Sequence, residues 1–75
     1  MQGLLLLTID VDREEDGRWI AEVLELPGVL AYGSSEAEAV SLVKAIALVE
    51  IGERLQHGEP LLSGADLSGI SFRAA

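Results

Sequence analysis

Residues 17–39, GRWIAEVLELPGVLAYGSSEAEA, hold the signals that decide the fold. Residues 18–24 predict a strand, because hydrophobic side chains recur at every second position on one of its faces. That face contains Trp19, Ala21 and Val23. Pro27 and Gly28 then predict a type II turn, since proline presets φ at the first central position and glycine accepts positive φ at the second. Residues 29–33 follow as a further short strand.

Upstream of this stretch, residues 4–11 predict another strand, again with hydrophobic side chains at alternate positions. Its hydrophobic face contains Leu5, Leu7, Ile9 and Val11. A charged turn at residues 12–17 separates the two strands. Gly17 ends this turn and provides a position where positive φ costs little. We therefore expect an antiparallel hairpin with an acidic tip.

Downstream, Ser35 and Glu38 predict the start of a helix. They form a capping box, in which the hydroxyl satisfies one free amide of the first turn and the carboxylate reaches back to another. The helix is expected to end at Gln56 or His57, before two residues that stop helices, Gly58 and Pro60. Its hydrophobic residues cover more of the circumference than one sheet can bury. They include Leu42, Val43, Ile46, Ala47 and Val49.

The remaining residues complete the predicted fold. Residues 61–69 are rich in turn signals, and residues 70–73 predict a last short strand. We therefore expect an α+β fold with a single domain over residues 1–75. It would be a small β-β-β-α-β two-layer domain, with an antiparallel sheet and one helix packed on a face.

Composition restricts the function. The net charge of −8 disfavours nucleic-acid binding, because phosphates would be repelled. It would attract a basic protein partner, although acidic charge that only keeps the chain soluble is the simpler explanation. Hydrophobic residues make up 49% of a 75-residue chain with little interior, so self-association as a dimer or tetramer is expected.

Other features point to a chain without disulfides, membrane segments or cofactors. There is no cysteine, which favours a cytoplasmic location. The run from Leu4 to Leu7 is far shorter than the roughly 18 apolar residues of a membrane span, and it lacks the flanks of a signal peptide. His57 suits the negative end of the helix dipole, so a capping role is preferred to catalysis.

Two further patterns argue for structure rather than chemistry. Alternate acidic residues from Asp10 to Asp16 resemble a calcium loop, but Glu15 stands where that loop needs glycine. Trp19 shares a face with Ala21 and Val23, so the core is a better prediction for it than an interface. We expect no catalytic residue, no metal site and no cofactor.

A set of short motifs spans residues 15–59, and each is weak alone. In chain order they are Glu15-Asp16-Gly17-Arg18-Trp19-Ile20-Ala21-Glu22-Val23, Glu25-Leu26-Pro27-Gly28, Gly33, Ser35-Glu36-Ala37-Glu38-Ala39, Ala45-Ile46 and Gly58-Glu59-Pro60. Together they resemble the HicB family in order and spacing. Leu24 stands where that family often has proline, and Val29 where it often has cysteine; neither difference threatens the fold.

The resemblance implies a β-β-β-α-β layer related to a trimmed ribonuclease H fold. It also implies an antitoxin that binds and blocks HicA, a small basic mRNA-cleaving toxin. HicB antitoxins typically add a C-terminal DNA-binding module, for which the short segment after the helix leaves no room. Autoregulation is therefore not expected of this chain.

The candidate partner-binding residues fall into two groups. The acidic tip contains Asp12, Glu14, Glu15 and Asp16, and the outer face of the hairpin contains Leu4, Leu6 and Ile20. A structural role is expected for Gly17, Trp19, Ala21, Glu25, Leu26, Pro27, Gly28, Ser35 and Glu38.

Two alternatives to the antitoxin stay open. The first is a self-associating structural or regulatory domain without a toxin. The second, less favoured, is a metal-dependent nuclease with Asp10, Asp12 and Glu22 as ligands, which would need carboxylates converging around the ions.

Overall fold

A computed structural model describes residues 3–58 and 67–75 of the chain. It has the predicted α+β class and β-β-β-α-β order. The elements are β1 (Gly3–Arg13), β2 (Trp19–Val23), β3 (Leu30–Gly33), α1 (Glu36–Gln56) and β4 (Leu67–Ala74). The four strands form one sheet in the order β3-β2-β1-β4. The predicted stop at Pro60 and the turn-rich segment from 61 to 66 lie outside the described residues.

The prediction of an antiparallel sheet was wrong, because β4 pairs in parallel with β1. β3 runs in the same direction as β1, and α1 carries the chain from β3 across the sheet to β4. A helical crossover of this kind returns the chain to the end where it started, so the next strand is parallel. β4 is also longer than the predicted 70–73, because it follows β1 from Gly3 to Ile9.

The two predicted glycine turns are confirmed. Gly17 has φ of 91° in the loop that joins β1 to β2. Gly28 has φ of 88°, and the Val29 N–H donates to the Leu26 carbonyl across the turn at 3.0 Å. This is the arrangement that a type II turn at Pro27 and Gly28 requires.

Ser35 caps α1 as predicted, with its hydroxyl accepting from the Glu38 N–H at 3.1 Å. The Glu38 carboxylate reaches one residue further back than expected and accepts from the Ser34 N–H at 2.9 Å. His57 is the C-cap, and Gly58 follows with φ of 70°.

The core lies between α1 and the inner face of the sheet. The helix buries one narrow row at every fourth position, which is Ala39, Val43, Ala47 and Ile51. The sheet and its turns bury Leu7, Ile9, Ala21, Val23, Leu26, Val29 and Ala31. Trp19 packs, half-buried, against this cluster.

Candidate protein-docking surfaces

The acidic tip begins with Asp12 near the end of β1 and continues through the loop between β1 and β2, and its carboxylates are not equally free. Asp16 accepts hydrogen bonds from the Arg18 N–H at 3.0 Å and from Arg18 Nε at 2.7 Å. These bonds, the main-chain one first, lower the pKa of Asp16. The Arg18 guanidinium in turn lies over the Tyr32 ring, 4.5 Å from its centroid. Asp16 is therefore engaged within the chain.

The other three acidic residues of the tip form no ion pair within the described chain. The Asp12 carboxylate accepts from the Arg13 N–H at 2.9 Å, and Glu15 is exposed. Glu14 is half-buried, and its main-chain N–H donates to the Arg18 carbonyl at 2.7 Å. Among the described residues of the tip, Asp16 alone forms an ion pair, so the charges of Asp12, Glu14 and Glu15 stay available to a basic partner.

Leu4, Leu6 and Ile20 all lie on the outer face of the sheet, away from α1. They nevertheless form two patches rather than one. Ile20 lies opposite Asp12 near the end of β1, whereas Leu4 and Leu6 lie at its beginning. Ile20 also pairs with Tyr32 on β3, which gives the far patch an aromatic neighbour.

Leu4 and Leu6 are 56% and 45% exposed. Their neighbours on β4 are Gly69 and Ser71, which are too small to cover them. A Cβ placed on Gly69 would lie 3.3 Å from Leu4 Cδ1, so the leucine rests directly on the glycine backbone. The two leucines therefore stand above the outer face without a covering side chain among the described residues.

Between the two patches, Thr8 is buried although it points to the outer face. The Glu25 carboxylate accepts from the Thr8 N–H and from Thr8 Oγ1, both at 2.7 Å. Arg73 Nε donates to the same Oγ1 at 3.1 Å. The Thr8 N–H, followed by the Thr8 hydroxyl, lowers the pKa of Glu25. The sequence pointed to Glu25 within its motif but not to Thr8 or Arg73, which are distant in the chain.

A second candidate surface is the outer side of α1, where sequence reasoning named no partner-binding residue. Leu42, Ile46 and Val49 are exposed there, and a shallow groove runs past Ala45. The groove is bordered by Glu50 and Glu53, and Glu50 also pairs with Arg54 at 3.1 Å. The sequence had indicated excess apolar surface on this helix, and residues 42, 46 and 49 have the spacing of one helix face.

The three carboxylates of the nuclease alternative are not all brought together in the structure. Asp10 lies opposite Glu22 across the β1–β2 ladder, but Asp12 lies opposite Ile20. Within residues 3–58 and 67–75, no three His, Asp or Glu side chains are grouped closely enough to hold a metal ion. His57, the chain's one histidine, lies at the C-terminal end of α1.

In the part of the chain that the structure describes, no helix is both long and apolar enough to cross a membrane. Comparison with protein-family models, with curated proteins and with solved structures gave no significant match to this chain. The structure therefore defines a small α+β domain with exposed apolar and acidic surfaces.

Proposed function

We propose that the chain is a protein-binding module that resembles a HicB antitoxin and neutralises a small basic, mRNA-cleaving toxin of the HicA type. The observation that carries the proposal is the outer side of α1, where Ile46 and Val49 are exposed beside the Glu53 carboxylate. An apolar centre with an acidic border suits a partner whose own apolar contact is surrounded by Lys and Arg.

The charge of the whole chain supports the same class of partner. A net charge of −8 raises the encounter rate with a basic protein and disfavours nucleic acid. The acidic tip would guide the approach, since exposed charges act mainly on the association rate. The apolar groove would then supply the contact that sets the lifetime of the complex.

The direct experiment mixes this chain with the short basic protein encoded next to its gene, or with purified HicA-type toxins, and measures mRNA cleavage. We expect inhibition near equimolar ratio. Val49→Lys should weaken binding by at least about tenfold, because it places a like charge at the centre of the contact. Leu24→Lys, which changes a 50% exposed leucine outside α1, is the matched control. If no basic neighbour is encoded and the toxins do not bind at micromolar concentration, the antitoxin function is excluded.

A second candidate function is a self-associating structural or regulatory domain without a toxin. It is favoured by the number of large apolar side chains that the single chain leaves exposed on both the sheet and the helix. Sedimentation at micromolar concentration tests it, because a monomer of 8.0 kDa would exclude self-association.

We also propose a fold relationship, a cellular location and a non-enzymatic role for the chain. A relation to a trimmed ribonuclease H fold is supported by the β-β-β-α-β order. A cytoplasmic location is supported by the lack of cysteine. A non-enzymatic role is supported by the placement of Asp10, Asp12 and Glu22, which are not grouped as metal ligands within the described residues. Nuclease activity with magnesium or manganese that Asp10→Asn abolishes would overturn it.

A further inference from the structure

The first part of β1 extends beyond β2 and leaves an open strand edge inside the sheet. The β1–β2 ladder begins at Ile9, opposite Val23. One step earlier, the Leu24 N–H donates to the Thr8 carbonyl at 3.0 Å, and the Glu25 carboxylate takes the Thr8 N–H. Before Thr8, β1 pairs with β4 on its other side and has no strand neighbour on the β2 side among the described residues.

Alternation along β1 decides which main-chain groups lie at this edge. The main-chain groups of even-numbered residues point toward β2, as those of Thr8 do. Those of odd-numbered residues point toward β4, and the Ile9 carbonyl accepts from the Ala75 N–H at 2.9 Å. The N–H and C=O groups of Leu4 and Leu6 therefore point into the open edge. Their side chains are the two exposed leucines of the outer face.

Two of the devices that keep natural strand edges apart, charge and proline, are missing from Gly3 to Leu7. The pairing of β1 with β4 is irregular between Gly3 and Leu4, and it is regular from Leu4 onward. The edge strand β4 is also free of charge and proline over residues 67–72, but its outer face has Gly69 and Ser71 where β1 has Leu4 and Leu6. A strand added at β4 would therefore bury less apolar surface.

We propose that a second copy of this chain occupies the edge, with its own residues 3–7 running antiparallel to those of the first about a two-fold axis at Leu5. This inference rests on the self-association named above and identifies its surface. Leu4 would face Leu6 of the second copy in a hydrogen-bonded pair, and Leu6 would face Leu4. The pairing would group the four exposed leucines on one continuous outer face.

The charge distribution favours a second copy at this edge. Two chains of charge −8 repel each other over most of their surfaces, and the Gly3–Leu7 segment is a stretch without charge where they can meet. Glu25 fixes the length of the contact, because its carboxylate occupies the Thr8 N–H and ends the open edge there. A two-fold axis at Leu5 places the exposed leucines Leu4 and Leu6 opposite each other, and this sets the register.

Because the chain has no cysteine, single cysteines can test that register. Leu5→Cys would lie opposite itself in a pair without hydrogen bonds, where Cα atoms are about 4.5 Å apart and a disulfide can form. We expect rapid oxidation of Leu5→Cys to a covalent dimer at low micromolar concentration, and at least about tenfold slower oxidation of the exposed control Leu24→Cys. Equal rates for the two variants would overturn the register.

A second pair of variants separates this edge from the helix surface. Leu6→Lys places two like charges at the proposed contact and should raise the dimer dissociation constant at least about tenfold. Val49→Lys, on α1, should leave the dimer unchanged, and circular dichroism would verify that both variants fold. Leu6→Lys should also stop the cross-linking of Leu5→Cys.

The outcomes distinguish this inference from the functions proposed above. If Leu6→Lys still forms the dimer and Val49→Lys does not, self-association occurs through α1, and only the proposal of the β1 edge is overturned. A monomeric natural chain would overturn self-association and the edge together, without affecting toxin binding. Toxin binding that is lost in Val49→Lys but kept in Leu6→Lys would support two separate surfaces.

Discussion

Glu25 and Thr8 are joined by two hydrogen bonds of 2.7 Å, in which one carboxylate takes both the main-chain N–H and the hydroxyl of the threonine. The side chain of Glu25 thus takes the position at which a next residue of β2 would have paired with β1. One side chain ends the β1–β2 ladder and defines where the open edge of β1 begins. It also connects the turn after β2 to the end of β4, because Arg73 donates to the same hydroxyl.

Glu25→Gln should make the free energy of unfolding less dependent on pH in the acid range. The pKa of Glu25 is lowered in the folded chain, so its ionised form stabilises the fold above about 4.5, the ordinary value of the group, and this contribution is lost as the pH falls through the lowered value. The variant should unfold at lower urea concentration than the natural chain at pH 7. The difference should shrink as the pH falls below 4.5.

Urea titrations at pH 7 and at pH 3 measure this effect, and Glu15→Gln at the exposed tip is the control for the loss of one charge. A difference between Glu25→Gln and the natural chain that persists undiminished at pH 3 would contradict the role of the ionised carboxylate.

Truncation of Leu26 should destabilise the protein far more than truncation of Leu24, although the two are only two residues apart. Leu26 is completely buried, whereas Leu24 is half exposed. Leu26→Ala should lower the free energy of unfolding by about 2–5 kcal/mol, because it removes buried methyl groups and leaves a cavity. Leu24→Ala should change it by less than about 0.5 kcal/mol. Chemical denaturation measures both, and similar losses would show that Leu24 is covered in solution.

Gly33 and Gly52 should also differ. A Cβ on Gly33 would lie 2.5 Å from the main-chain nitrogen of Ala39, so Gly33→Ala must push β3 away from α1 and should cost about 1–3 kcal/mol. A Cβ on Gly52 meets nothing within 4 Å in the described chain. Gly52→Ala should therefore raise the free energy of unfolding by about 0.5–1 kcal/mol through helix propensity.

The same chemical denaturation compares the two glycine variants. If Gly52→Ala destabilised the protein instead, a neighbouring molecule would have to approach the helix at that position. Gly33→Ala tests the packing within the chain, because its close contact is with the backbone of the first turn of α1 and cannot move aside as a side chain could.

Neutralising the acidic tip should slow the association with a basic partner. The double variant Asp12→Asn, Glu15→Gln removes two of the open carboxylates and leaves the Asp16–Arg18 pair intact. Binding kinetics would be measured at low salt with an immobilised HicA-type toxin as the basic partner. The association rate should fall several-fold and the dissociation rate should stay nearly unchanged, because exposed charges steer the encounter. At about 0.5 M salt the variant and the natural chain should associate equally, since screening removes the difference. An unchanged rate at low salt would contradict a steering role.

The sequence alone determined the local structure of this protein. Alternating hydrophobic residues predicted β1 and β2, Gly17 and Gly28 predicted their turns, and Ser35 predicted the start of α1. These signals are strong because each depends on residues that are neighbours in the chain or lie one turn apart. The fold class and the order of elements followed from them.

The tertiary structure decided everything that joins distant residues. The parallel pairing of β4 with β1 follows from the path of α1 across the sheet, which no local pattern records. Thr8, Glu25 and Arg73 come together only when three segments meet. The separation of Leu4 and Leu6 from Ile20, and the open edge before Thr8, depend on where β2 ends relative to β1. Strand pairing and burial depend on contacts across the sheet between residues that are distant in the chain. Local sequence patterns therefore do not determine them.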